Sequence, residues 1–245
     1  MTSAAGPMHP ANLPREVRPE WLDTLAPDEP RARRSRADLR RINWIMGALG
    51  TLRGALDPFL AGGLPIRLVE IGAGDGSLMA RLAHQCGARW PSLHVSLLDL
   101  QPVVAPTTQA AIERRGWTVE VLRCDVFAWL REAPQQPNEI IVANLFVHHF
   151  DNAQIGTLLA AIAARAEGFV CCEPRRSRLA LLGSHGLGAL GCNDVTRHDA
   201  VASVHAGFRD QELSGQWPSC PGWITDEAAA GFFLHCFVAR RTGAT

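Results

Sequence analysis

The sequence contains no lysine and no tyrosine. All 24 of its basic residues are arginine, and 24 acidic residues balance them to a formal net charge of +0. Without an excess of either sign, no overall field recruits nucleic acid or an anionic membrane surface, so a small neutral substrate is the better expectation. The seven cysteines form an odd set with no C-x-x-C pair, and Cys171-Cys172 sit side by side in an apolar run. That pattern excludes a secreted disulfide framework and points to reduced thiols in a cytoplasmic protein. The N-terminus lacks the charged, apolar and small-residue regions of a signal peptide, and no apolar run reaches the about 18 residues of a membrane span. No internal repeat is present.

What the chain does have is a 47% hydrophobic content, ample for a core, and one dominant stretch, Leu68-Val69-Glu70-Ile71-Gly72-Ala73-Gly74-Asp75-Gly76-Ser77. An apolar run from Ile66 stops at Gly-x-Gly-x-Gly, and Leu78, Met79 and Leu82 follow at helical spacing. This reads as strand, tight turn and helix. A dinucleotide fingerprint needs two residues between its second and third glycines. Only Asp75 separates Gly74 from Gly76, and no lysine follows to make a Walker loop. Both phosphate-binding motifs are therefore disfavoured.

Residues 1–34 carry six of the 16 prolines and read as a partly ordered arm. From Ser35 to residue 62 a helical cap is expected, with Leu39, Ile42, Met46, Leu49 and Leu52 on one stripe and Asn43, Gly47, Gly50 and Gly54 on another. A line of glycines suggests close approach to another element or to a ligand. The arginines at 31, 33, 34, 36, 40 and 41 read as a solvated face. Beyond residue 63, strands expected at His94–Leu98, Val119–Arg123, Glu139–Phe146 and Gly168–Cys172 alternate with helices. That alternation implies a parallel sheet. Asp151 and Gln154 form a capping-box pattern ahead of one of these helices. Helices are also expected over Leu179–Leu190 and Asp199–Ala206. An antiparallel hairpin of Gln211–Gln216 with Phe232–Arg240 is expected at the sheet edge.

Ligands of such sheets bind beyond the carboxyl ends of the strands, where strand order reverses. Asp99 lies 27 residues after Gly72 and is followed by Leu100; Asp125-Val126 follows the third strand; Asn144-Leu145-Phe146-Val147-His148-His149 closes the fourth. Singly, each aspartate reads equally as a helix cap. In combination, E-x-G-x-G-x-G, Leu-Asp and Asp-Val resemble the class I S-adenosylmethionine-dependent methyltransferases.

That resemblance implies an α/β Rossmann-like fold with a seven-stranded, mostly parallel sheet, helices on both faces, an antiparallel hairpin at the edge and a substrate lid over about residues 177–230. It implies S-adenosylmethionine as cofactor. Glu70 would buttress the turn at Gly72, Ala73 and Gly74. Asp99 with Leu100 would meet the ribose, Asp125 and Val126 the adenine, and Asn144 and Phe146 the methionine portion, with Arg41 or Asn43 reaching its carboxylate. His149, and after it His148, would take a proton from the acceptor, a step suited to a phenol of pKa about 10 facing a histidine of pKa about 6.5. No metal is expected, because His198-Asp199 and Cys192 have no third ligand at readable spacing.

A fainter likeness, carried by Leu39-Arg40-Arg41-Ile42-Asn43 and Glu173-Pro174-Arg175-Arg176-Ser177, is to bacterial enzymes that methylate phenolic or quinone-like polyketide products of secondary metabolism. C- or N-methylation on the same scaffold stays open, as does an inactive cofactor-binding subunit that supports a partner enzyme.

Overall fold

The computed structural model describes residues 13–61, 66–101 and 103–242. The first helix, α1 (Trp21–Thr24), is a single turn; α2 (Pro30–Met46) and α3 (Ala48–Leu60) follow. Then come β1 (Ile66–Ile71), α4 (Ser77–Cys86), β2 (Leu93–Asp99), α5 (Pro106–Glu113), β3 (Thr118–Arg123), α6 (Val126–Glu132) and β4 (Glu139–Asn144). The chain continues through α7 (Asn152–Arg165), β5 (Gly168–Pro174), α8 (Arg178–His185), α9 (Asp194–Ala206), β6 (Trp223–Ala230) and β7 (Leu234–Arg241).

Seven strands form one sheet in the order β3-β2-β1-β4-β5-β7-β6. The first five are parallel, while β7 pairs antiparallel with both β5 and β6. Strand order reverses between β1 and β4, which opens a crevice at their carboxyl ends. Because strand residues alternate between faces, Leu68, Val142, Val170 and Cys172 pack under α3 and α4. Val69, Ile141, Ala143 and Phe169 pack against α6 and α7 on the other face. The two buried faces account for the near-continuous apolar reading of the parallel strands. The expected capping box of α7 forms in full, with Gln154 N–H donating to Asp151 Oδ1 at 2.8 Å and Asp151 N–H to Gln154 Oε1 at 3.0 Å.

Several local expectations are corrected. The edge hairpin exists, but β7 pairs with Trp223–Ala230; residues 211–216 are turns ending in a 3-10 turn. The cap is two helices, because Gly47 adopts φ +76 and ends α2. The expected glycine stripe is no packing surface, since a Cβ added at Gly50 or Gly54 meets nothing within 4 Å. The boundary expected between arm and cap falls inside α2, which starts at Pro30; Pro is favoured in a helix's first turn. Residues 1–12 of the expected arm, and its junction at 62–65 between cap and sheet, lie outside the described residues. Helix α9 begins at Asp194, five residues before the expected start, capped by Asn193 Oδ1 accepting from Thr196 N–H at 2.9 Å.

Nor is the arginine face of α2 idle. Arg31 lies 2.6 Å from Asp194, Arg34 donates to Gly191 O, and Arg41 donates to Leu190 O. These contacts hold α2 against the segment that joins α8 to α9.

Candidate functional site

The glycine turn is built from three left-handed residues: Gly72 at φ +68, Gly74 at +53 and Gly76 at +69. A Cβ at Gly72 would fall 2.2 Å from Phe146 Cδ2, so this glycine is the space in which the Phe146 ring rests. Gly74 differs, with nothing within 4 Å of an added Cβ. Ala73 N–H donates to Leu98 O at 3.0 Å and fastens the turn to β2. Asp75 accepts from Ser77 N–H at 3.1 Å at the start of α4, and Arg40 Nη1 reaches its other oxygen at 2.6 Å. Arg40 thus joins the cap to the glycine turn. Arg41, expected at the cofactor, donates instead to Asp38, Leu190 O and Cys192 Sγ.

Asp99 closes β2 and ties the turn to the strand end; Oδ2 accepts from Gly74 N–H and Oδ1 from Gln101 N–H, each at 2.8 Å. Each carboxylate oxygen keeps a further lone pair for a hydroxyl donor. Leu100 beside it is exposed and Val126 buried. Asp125 caps α6 by accepting from Ala128 N–H at 2.9 Å, and its side chain lies at the surface. At the end of β4, Asn144 Nδ2 donates to Asn43 Oδ1 at 3.5 Å, which brings Asn43 of α2 to the crevice.

Glu70 is 2% exposed and lies behind the turn. Burial, reinforced by the charges of Asp75 and Asp99, raises its pKa well above the ordinary carboxylate value. A raised folded-state pKa means that the native chain binds this proton more tightly than the unfolded chain, so stability is lost as pH rises through the folded value. Glu70→Gln carries no such proton. Its melting temperature is expected to rise relative to that of the wild type as pH increases above the ordinary carboxylate range, with the gap smallest at acid pH. A gap independent of pH would contradict the buried neutral acid.

After β4 the backbone turns sharply: Leu145 adopts φ +53, and Val147–His149 form a 3-10 turn. Glu173 of β5 holds this turn from beneath. One of its oxygens accepts from Phe146 and Val147 N–H at 3.2 and 2.9 Å; the other accepts from His148 N–H at 3.3 Å and meets His148 Nδ1 at 2.8 Å. On the far side, His148 Nε2 lies 3.3 Å from Glu20 Oε1. Burial works against a charged ring, but the hydrogen bonds of Glu173 and Glu20 outweigh it and raise the His148 pKa to about 9. For Glu20 burial likewise opposes charge, yet the bonds and charges of His148, then His149 and Ser203, hold its pKa at about 2. His149 is less enclosed, with Nδ1 3.2 Å from Asp23 Oδ2 and Nε2 4.0 Å from Glu20 Oε2.

Glu20 and Asp23 were not among the residues read from sequence. They arrive through a strap over residues 13–25 that the rest of the chain pins down. Arg15 donates to the carbonyls of Ala206, His148 and Phe150. Asp199 of α9 accepts from Trp21 and Leu22 N–H at 2.8 and 3.0 Å, and so caps α1 from another helix. Trp21 stacks on His198 with ring centroids 4.0 Å apart. A carboxylate 128 residues from its partner histidine, in a proline-rich stretch, leaves no spacing signal.

Glu70 Oε2 and Asn144 Oδ1 are buried at the ends of β1 and β4 with no hydrogen-bond partner among the described residues. Together with the open face of Gly74 and the paired acceptors of Asp99, they form a polar cradle at the switch point of a doubly wound sheet. Ligands of doubly wound sheets bind at such a switch point, and the polar groups gathered here are of the kind that would fit S-adenosylmethionine.

Comparison with known proteins narrows the class. Residues 68–167 match the family model described as Methyltransferase domain. A malonyl-(acyl-carrier protein) O-methyltransferase of Paenibacillus sp. (strain JDR-2) is 32% identical over 79 residues, 32% of this chain and 27% of that protein. The matched stretch thus spans about a quarter of the curated relative.

Among solved structures, the plantazolicin methyltransferase BpumL in complex with SAH superposes with a TM-score of 0.58 at 11% identity, over 87% of this chain and 91% of that one. The N,N-8-amino-8-demethyl-D-riboflavin dimethyltransferase RosA from Streptomyces davawensis gives 0.56 at 18% identity, over 91% and 62%. An O-methyltransferase family protein from Burkholderia thailandensis gives 0.52 at 15%, over 90% and 65%. Residues 68–167 thus resemble a methyltransferase domain, and the fold around them is shared with solved methyltransferases, one of them in complex with SAH.

Proposed function

We propose that the chain transfers the methyl group of S-adenosylmethionine to a hydroxyl of a small phenolic, quinol or polyketide-like acceptor, as a cytoplasmic enzyme of secondary metabolism. The bound cofactor supplies an electrophilic methyl on a sulfonium. In this reading Gly72, Ala73 and Gly74 bring backbone close to it, Asp99 accepts from the ribose hydroxyls, and Asp125 with Val126 takes the adenine. Asn144 and Asn43 face the methionine portion, and Phe146 shapes the wall beside it. The segment from α8 through α9 covers the acceptor.

The observation that carries the reading is the placement of His149 at the end of β4, beside Asp23. With Asp23 at Nδ1, the ring is oriented by a carboxylate and leaves the Nε2 lone pair to receive a proton, the arrangement general-base catalysis asks for. His148 cannot share that role, because both of its nitrogens are engaged by carboxylates; its task is to hold the turn. Methyl transfer is an in-line displacement, so the residues that fix alignment matter as much as the base.

The expected behaviour of His149→Ala is a fall in kcat of about 100-fold or more with an unchanged Kd for S-adenosylmethionine, because general-base removal costs about that much. The assay pairs purified protein and cofactor with a panel of phenols and quinols and detects the methylated product. Full turnover in the variant would remove the base and favour C- or N-methylation on the same scaffold.

A further inference from the structure

The two adjacent histidines share an arrangement that hydrogen bonding within the protein does not require. Each presents Nδ1 to its own carboxylate, Glu173 for His148 at 2.8 Å and Asp23 for His149 at 3.2 Å. Each turns Nε2 toward one common carboxylate, Glu20, at 3.3 and 4.0 Å. Metal-ligating histidines characteristically give their second nitrogen to a carboxylate, which fixes the ring and raises its basicity.

We propose that Glu20, His148 Nε2 and His149 Nε2 form a binding site for a divalent first-row transition-metal ion. One donor atom from each residue lies within 4.8 Å of the others. Ligand atoms around a zinc-like ion, each about 2.1 Å from it, lie about 3.0–3.5 Å apart. Glu20 Oε1 and His148 Nε2, at 3.3 Å, already have that separation; Glu20 Oε2 and His149 Nε2, at 4.0 Å, need to close by about half an ångström, with the carboxylate binding through both oxygens or turning toward the ion. Ser203 Oγ donates to Glu20 Oε1 and holds the shared carboxylate in place.

Two imidazoles and one carboxylate select zinc, iron(II) or manganese(II) over calcium or magnesium, which prefer oxygen ligands throughout. Three protein ligands leave coordination positions open, as in metal sites that meet a substrate. Three carboxylates converge on two rings, so the cluster keeps an excess of negative charge that a dication reduces. Arg15, whose guanidinium reaches His148 O, is committed to backbone carbonyls and to Asn152.

Spacing along the sequence gave no metal set, because the third ligand comes from the strap. The site goes beyond the methyl-transfer reading and stands without it. If both hold, the ion and an acceptor proton compete for the His149 Nε2 lone pair.

The test is calorimetric titration of chelator-treated full-length protein with Zn2+, repeated with Co2+ while its visible absorption is recorded. The expected result is one ion per chain, with affinity about 100-fold or more weaker in Glu20→Gln and His149→Ala, since each removes one of three ligands. Asp23→Asn, at an exposed position, is expected to weaken binding about 10- to 100-fold through the ring it orients. Wild-type protein that takes up neither ion overturns the proposal. So does Zn2+ binding that survives unchanged in both His149→Ala and Asp23→Asn, which would place the ion elsewhere. S-adenosylmethionine is titrated in parallel on every variant, so loss of the cofactor reading is scored separately from loss of the metal site.

Discussion

Gly72→Ala is expected to lower the melting temperature by about 6–12 °C, on a loss of about 3 kcal/mol at about 2–4 °C per kcal/mol for a chain of this size. Two costs add. The left-handed conformation at φ +68 costs an L-residue about 1–2 kcal/mol. The new Cβ also falls 2.2, 2.5 and 2.9 Å from three atoms of Phe146. That ring cannot simply swing away, because it meets Phe150 edge-on at 5.2 Å and its own N–H is tied to Glu173. Gly74→Ala separates stability from binding: at φ +53 with nothing within 4 Å, it meets backbone strain alone. It should melt only a few degrees below the wild type yet lose cofactor affinity, because its Cβ enters the cradle. Thermal melts and cofactor titrations on both variants check this. Equal effects of the two on both readouts would contradict the assignment of one glycine to Phe146 and the other to the ligand.

Glu173→Gln is expected to be the most damaging near-isosteric change in the chain. Glu173 is fully buried, and its two oxygens receive three backbone N–H groups and one imidazole N–H. An amide at the same position keeps one acceptor oxygen and turns an NH2 toward donors. It also leaves His148 without one of its two charge partners. Breaking a buried ion pair from one side costs about 3–5 kcal/mol. The 146–149 turn then loses its anchor, so turnover falls together with stability. Differential scanning calorimetry is the check, and a variant melting within about 2 °C of the wild type, a loss of no more than about 1 kcal/mol, would show that Glu173 does not hold the turn.

The central strands β1, β2, β4 and β5 were legible because they are covered on both faces and read as apolar runs. The strand-end residues followed from the same logic, since a switch-point crevice collects whatever closes β1, β2 and β4. The edge strand β6 was not legible. Trp223–Ala230 has most of its residues exposed or half-exposed, with Asp226, Glu227 and three consecutive alanines, so it carries no alternation that a pattern can register. The true partner of β7 was therefore passed over in favour of residues 211–216. The break at Gly47 was hidden because apolar residues continue at helical spacing on both sides of it. Glu20 and Asp23 were invisible for a different reason: their roles arise from Asp199 capping α1 and Arg15 pinning the strap, which are tertiary contacts without a local signature.

The central claim is that the cradle between β1 and β4 holds S-adenosylmethionine. Calorimetric titration of the purified protein with S-adenosylmethionine, and separately with NADH, tests it most directly. The account predicts saturable one-to-one binding of S-adenosylmethionine and no heat of binding for NADH. Binding of NADH in preference, or of neither, would contradict it.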